Sequence, residues 1–403
     1  MGLNDTPGGN RIHIGFFGRR NAGKSSVVNA VTGQNLSIVA DIKGTTTDPV
    51  YKSMELLPLG PVMIMDTPGM DDKGTIGALR VEKTRQVLRK TDIAILVVDA
   101  EEGMQETDRK LLGEFEKREL PYILVWNKCD VAAKAPENLP NAISVSAKTG
   151  EHIKELKEKI GSLASDHADR KIIGDQLEKT DVVVLVTPID EAAPKGRMIL
   201  PQMQTIRDIL DCHAICMVTQ TEELPNVLQA LKEPPKLVVT DSQAFAVVKE
   251  MVPDTTMLTS FSILFARYKG ILKTAVKGAA AIAKLKEGDR VLISEGCTHH
   301  RQCNDIGTVK LPGWIQKCAG AKLEFSFTSG TEFPEDLSGY ALVVHCGGCM
   351  LNEREMLYRQ RCAEDAEIPF TNYGTAIAYM NGILGRSLQI FPEIAKETKL
   401  FQI

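Results

Sequence analysis

Residues 12–33 read IHIGFFGRRNAGKSSVVNAVTG: an apolar run of strand character, a loop with glycines at 18 and 23, then a helical pattern opening at Lys24. Within it, Gly18-Arg-Arg-Asn-Ala-Gly23-Lys24-Ser25 fits G-x-x-x-x-G-K-[ST], and the strand before and helix after supply the context that gives the pattern meaning. Successive backbone N–H groups in such a loop turn toward an anion. The lysine neutralises phosphate oxygens, the serine hydroxyl takes Mg2+, and the helix N-terminus adds its dipole. Gly18, Asn21, Ala22, Gly23, Lys24, Ser25 and Ser26 are therefore candidate phosphate-binding residues, with Ser25 also a magnesium ligand.

Further elements follow in the order of a guanine-nucleotide switch. Gly44-Thr45-Thr46 is the candidate first switch, with Thr45 and Thr46 toward the nucleotide and Thr46 also on Mg2+. Asp66-Thr67-Pro68-Gly69 follows the strand VMIMD, Asn127-Lys128-Cys129-Asp130 follows YILVWN, and Ser146-Ala147-Lys148 follows AISV. Asp130 can accept both guanine N–H donors, Asn127 can bond the base edge, and Lys128 can pack over the base plane. Adenine would leave a carboxylate unpaired, so GTP and GDP are the expected ligands. Lys24, Thr46, Asp66 and Gly69 are the expected catalytic residues. Met70 stands where Ras-like proteins place a water-orienting glutamine, so another group must assist.

At 403 residues the chain exceeds what one hydrophobic core usually organises. Apolar strand-like runs alternate with helical patterns throughout, which predicts an α/β fold: a P-loop GTPase domain with a mostly parallel sheet, then two further α/β domains. The polar stretch 165–179 is a candidate linker. A formal net charge of −4 gives no broad basic field, which argues against a nucleic-acid partner. No run of eighteen apolar residues is present and MGLNDTPGGN lacks the grammar of a signal peptide, so no membrane association and a cytoplasmic location are expected.

Nine cysteines in such a chain are expected to be core residues, metal ligands or redox groups. Five lie between Cys297 and Cys349. Cys297-Thr-His299-His-Arg-Gln-Cys303 follows the strand RVLI, and His345-Cys346-Gly-Gly-Cys349 follows YALVV, so both clusters sit at strand C-termini, where open α/β sheets bind ligands. Zinc, a redox dithiol and an iron–sulfur cluster all compete for this pattern. Paired glycines, which free backbone N–H groups to face sulfur, favour the cluster. Cys303 reads as core or spare, Cys318 and Cys362 as core, and the Cys212–Cys216 pair as part of a strand run.

The nucleotide motifs resemble the translation-factor-class GTPases, closest to the group of the tRNA-modification GTPase MnmE and Era. In cation-activated members an asparagine at the position of Asn21 binds K+, which implies K+-stimulated hydrolysis. The combination of Cys297-x-His299, His345-Cys346-x-x-Cys349 and an N-terminal GTPase resembles the [FeFe]-hydrogenase maturation GTPases along the whole chain. That resemblance implies a GTPase domain over 1–168, a dimerisation domain over 176–260 and a [4Fe–4S] cluster-binding domain over 265–403. It implies Cys297, Cys346 and Cys349 as cluster ligands, with His299, His345 or Asp305 as fourth ligand or neighbouring donor. It further implies a scaffold that accepts a transient di-iron subcluster, works with two radical S-adenosylmethionine enzymes, delivers to apo-[FeFe]-hydrogenase and self-associates as a homodimer or tetramer. The alternative is an RNA- or ribosome-associated GTPase with structural zinc.

Overall fold

The computed structural model describes residues 6, 8–34, 49–57, 59–68, 75–132, 139–164, 170–189, 198–296, 305–330 and 332–398. The chain divides into two compact units, Met1–Asp169 and Arg170–Ile403.

In the first unit, strands β1 (Ile12–Phe17), β2 (Val50–Leu56), β3 (Gly60–Asp66), β4 (Ile93–Asp99), β5 (Tyr122–Asn127) and β6 (Ala142–Ser144) form one sheet in the order β2-β3-β1-β4-β5-β6. Only the β2–β3 hairpin pair is antiparallel. Helices α1 (Lys24–Thr32), α2 (Thr75–Lys90), α3 (Glu106–Lys117) and α4 (Ile153–Ala164) complete the unit. All seven residues of β4 are buried, as a central parallel strand covered on both faces demands. Alternate residues serve opposite layers: Ile95 and Val97 pack with Val27, Val31, Leu156 and Ile160, while Leu96 and Val98 pack with Val87, Leu111 and Phe115. Gly33 ends α1 in the left-handed region and returns its N–H to the Asn29 carbonyl.

The second unit holds two four-stranded sheets among its described residues, both wholly parallel. One has the order β10-β9-β7-β8, from β7 (Val182–Val186), β8 (Ile215–Thr219), β9 (Leu237–Thr240) and β10 (Met257–Ser260). The other has the order β12-β11-β13-β14, from β11 (Arg290–Glu295), β12 (Glu324–Ser329), β13 (Leu342–His345) and β14 (Phe370–Asn372). Between strands run α5 (Leu200–Asp211), α6 (Leu224–Ala230), α7 (Phe245–Met251), α8 (Phe261–Tyr268), α9 (Leu272–Ala279), α10 (Leu311–Ala319) and α11 (Glu353–Asp365), and α12 (Tyr373–Met380) follows β14. One continuous apolar core joins both sheets, from Ile172 to Ala395. Gly278 makes the close approach of α9 to β14 possible, since a Cβ there would lie 2.1 Å from the Phe370 carbonyl oxygen.

The α/β class expected from the pattern holds in both units. The linker reading needs correction in its second half. Ile172 and Ile173 are buried, the Asp208 carboxylate accepts the N–H groups of Ile173 and Gly174, and Arg267 pairs with Asp175. Two apolar side chains and a charged partner turn this polar-looking stretch into packed structure. Residues 165–169 lie outside the described residues.

Candidate functional site

The phosphate loop joins β1 to α1 at the C-terminal edge of the first sheet. Its backbone needs its glycines: Gly18 has φ 138° and a Cβ there would lie 2.2 Å from the Val97 carbonyl oxygen, while Gly23 has φ 83°. Asn21, at φ 63°, takes the left-handed region that asparagine tolerates. Lys24 folds back to donate to the Gly18 and Arg19 carbonyls at 3.2 and 3.3 Å. Arg19 donates from Nε to Asp108 Oδ2 at 3.0 Å and pairs with Glu102, anchoring the loop to the start of α3.

Asp66, at the end of β3, accepts from the Ser25 hydroxyl at 3.0 Å, and its Oδ1 is buried with no hydrogen-bond partner. Burial raises its carboxyl above the ordinary range, with Lys24 and Ser25 pulling the other way. A buried, unsatisfied carboxylate oxygen beside a hydroxyl at the phosphate loop fits a divalent cation's donor set. Ser25 and Asp66 thus lie side by side at the phosphate loop. Thr45, Thr46 and Gly69 lie outside the described residues.

The guanine-side residues lie at the end of β5 and in the loops that follow β5 and β6. Asn127 is buried and committed to the protein at both ends of its amide: Nδ2 donates to the Ala22 carbonyl at 3.0 Å and Oδ1 accepts the Ala147 N–H at 3.1 Å. Lys128 pairs with Asp99 Oδ2 at 2.6 Å. Burial would raise the Asp99 carboxyl, but the Lys128 hydrogen bond and the Glu101 N–H hold it below the ordinary range. Asp130 and Lys148 are exposed, Ser146 is buried, and its hydroxyl accepts the Thr149 N–H at 3.1 Å.

The second candidate site lies at the C-terminal edge of the β12-β11-β13-β14 sheet. Cys346 follows β13 directly, and its Sγ accepts the N–H groups of Gly296 at 3.1 Å and Gly348 at 3.4 Å. Gly348 has φ 62°, and a Cβ there would lie 2.5 Å from Met356 Sδ, so the turn that aims its N–H at sulfur requires glycine. Burial pushes the Cys346 thiol up to about 11, with those two N–H bonds pulling it down. Burial likewise raises Cys349, against the opposing charge of Lys269. That lysine is itself buried and donates to the Leu351 carbonyl at 2.8 Å. Two N–H donors on one sulfur and a buried cation near the other are the surroundings that thiolate ligands of a cluster need, so the donor set fits. Cys297, His299 and Cys303 lie outside the described residues, and among the described residues no group of three or more His, Cys, Asp or Glu is placed to hold a metal ion.

His345, expected as fourth ligand or neighbouring donor, ends β13 directly before Cys346. It is fully buried, its Nδ1 lies 2.8 Å from the Cys346 carbonyl oxygen, and its Nε2 lies 3.0 Å from Arg359 Nη1. Burial, then the Arg359 charge, hold its pKa down at about 3. Both nitrogens are occupied. Asp305 Oδ2 accepts from the backbone N–H and hydroxyl of Thr308, so that oxygen is used in starting the turn before α10. Glu295 accepts from Tyr373 at 3.1 Å. Sequence reading missed Lys269, Arg359 and Tyr373. Cys318 is exposed and so not the core residue expected, while Cys362 is half-buried.

These sites define a P-loop GTPase domain joined to a unit with a cysteine-bearing sheet edge. Residues 13–128 match the 50S ribosome-binding GTPase family, residues 172–270 the hydrogen maturase F dimerization domain, and residues 273–390 the hydrogen maturase F tetramerization domain. This is the hydrogen maturase F architecture, and the chain belongs to that family. GTPase Der of Wolinella succinogenes is 37% identical over 166 residues, covering 37% of this chain and 35% of that protein. The tRNA modification GTPase MnmE of Dechloromonas aromatica is 33% identical over 163 residues, covering 39% and 36%. The chain thus spans about a third of the length of these curated relatives. A crystal structure of Era with MgGDPNP and 16S ribosomal RNA nucleotides aligns at 19% identity and TM-score 0.34, over 52% of this chain and 92% of that one. Among the described residues no helix is long and apolar enough to cross a membrane.

Proposed function

We propose that the chain is a GTP-hydrolysing scaffold of hydrogenase maturation that carries a [4Fe–4S] cluster on Cys346, Cys349 and Cys297. Bound there, the cluster would offer one iron held by a weak ligand as the acceptor of a di-iron precursor. The observation that carries this reading is the pair of N–H groups directed at Cys346 Sγ, on a glycine-built turn in a family-matched domain. In the first unit, Lys24 would neutralise the phosphates, Ser25, Asp66 and Thr46 would hold Mg2+, and the segment after Gly69 would respond to the γ-phosphate. Two radical S-adenosylmethionine enzymes and apo-[FeFe]-hydrogenase are the proposed partners, with self-association through the matched dimerization and tetramerization domains.

The test is anaerobic reconstitution with iron and sulfide, then electron paramagnetic resonance with Cys297, Cys346 and Cys349 replaced one at a time. A [4Fe–4S] signal lost in each variant is expected. Bound zinc with no paramagnetic signal would turn the reading to an RNA- or ribosome-associated GTPase. Asn21 is proposed to bind K+ beside the phosphates. Its left-handed backbone alone accounts for an asparagine there, so the test is kinetic: Na+ in place of K+ at constant ionic strength should slow GTP turnover, and equal rates would remove the claim.

A further inference from the structure

Behind the cysteine edge a buried guanidinium gathers the ends of several strands. Arg359, on α11, is fully buried. Its Nε donates to Glu355 Oε1 at 3.0 Å, and its Nη2 lies 3.0 Å from that oxygen and donates to the Gly330 carbonyl at 2.7 Å. Its Nη1 donates to Ser294 Oγ at 3.3 Å and faces His345 Nε2 at 3.0 Å. Four of the arginine's five N–H groups thus meet acceptors, and the same carboxylate oxygen also pairs with its charge. Ser294 ends toward the same edge, Gly330 follows β12, and His345 ends β13, so one side chain joins three strand ends.

Chemistry then fixes the imidazole. Arginine only donates, so His345 Nε2 must accept, which leaves the ring's proton on Nδ1. That Nδ1–H lies 2.8 Å from the Cys346 carbonyl oxygen and donates to it. The relay runs from Arg359 to the His345 ring to the peptide that carries the Cys346 thiol. Such outer hydrogen bonds orient ligands in metal sites generally.

We propose that Arg359 is a positioning residue that, through His345 held as the Nδ1–H tautomer, sets the Cys346 peptide for ligation, and that His345 is a strut and not an iron ligand. The proposal rests on the cluster reading for its consequence, but not for the tautomer.

The experiment uses the full chain in two forms. In the apo protein labelled with 15N-histidine, long-range proton–nitrogen spectra with His345 assigned by substitution should show a neutral ring protonated at Nδ1; an Nε2–H ring would overturn the proposal. In the reconstituted protein, pulsed paramagnetic resonance should show no strong histidine nitrogen coupling that disappears in His345→Asn, and such a loss would overturn it. Asparagine can restore the lost N–H donor, so His345→Asn should release iron to a chelator at close to the wild-type rate. His345→Leu and Arg359→Lys should release it about tenfold faster. Equal release by all four proteins would overturn the proposal. Should wild type hold no cluster, the iron–sulfur reading fails, and the apo spectrum still decides the Arg359–His345 relay; circular dichroism identifies a variant that has not folded.

Discussion

Asn127, at the end of β5, donates from Nδ2 to the carbonyl of Ala22 in the phosphate loop at 3.0 Å, so the base-side and phosphate-side loops of the nucleotide site share one amide. The same side chain accepts from Ala147. Asn127→Ala strips both partners inside a buried site, at about 1–3 kcal/mol for each unmatched group. Affinity for a fluorescent GDP analogue is expected to fall by about tenfold or more. An unchanged dissociation constant would show that the two loops hold their places without it.

The buried Asp66 Oδ1 and the Ser25 hydroxyl carry the magnesium expectation. Asp66→Asn removes a charge from a cation worth several kcal/mol of transition-state stabilisation, so GTP turnover should drop about a hundredfold. Chelation of Mg2+ by EDTA should match that loss in wild type and add little in the variant. Additive losses would place the cation elsewhere.

Asp175 anchors the start of the second unit to Arg267 on α8. Burial acts to raise its carboxyl, but the Arg267 and Gln176 hydrogen bonds bring it below the ordinary value. Because the folded pKa lies under the unfolded one of about 4, the stabilisation is present above that pH and lost as pH falls through the folded value. Both side chains are partly exposed, which limits the pair to about 1 kcal/mol or less. Urea unfolding should find Asp175→Asn slightly less stable at pH 7, with the gap closing below about pH 4. A gap that persists in acid would assign the effect to something other than the ion pair.

At Gly278 there is no room for a methyl group against the Phe370 carbonyl. Gly278→Ala should force α9 away from β14 and cost about 1–3 kcal/mol, read as a lower Tm. A raised Tm, the usual result of Gly→Ala in an open helix, would contradict the packing described.

The nucleotide domain was legible because its chemistry is local: β1, the glycine loop and α1 adjoin in sequence, and β4 is an unbroken apolar run. Edge and short strands were not. β12 mixes Glu324, Ser326 and Thr328 with two phenylalanines, and β14 has three residues, too few to display a period. Arg359 sits in EREMLYRQRCAED, where every charge reads as solvent-facing; only the packing of α11 against the sheet turns that one inward. Lys269 follows an apolar helix and reads as its basic end. The cysteine pair itself was visible, because paired glycines between thiols have a backbone reason to be there. Cys318 was misjudged because its neighbours Ile315 and Ala319 are apolar while its own position on α10 faces out.

The network around Arg359 has a consequence for the proposed exchange at the cysteine edge. With four Arg359 N–H groups on fixed acceptors and both His345 nitrogens engaged, the imidazole has no ring nitrogen left for a newcomer. A newcomer would then be recognised by the sulfurs and not by the His345 ring. On the proposed cluster reading, exchange would then be one-sided, approached from the face away from the buried Arg359 network.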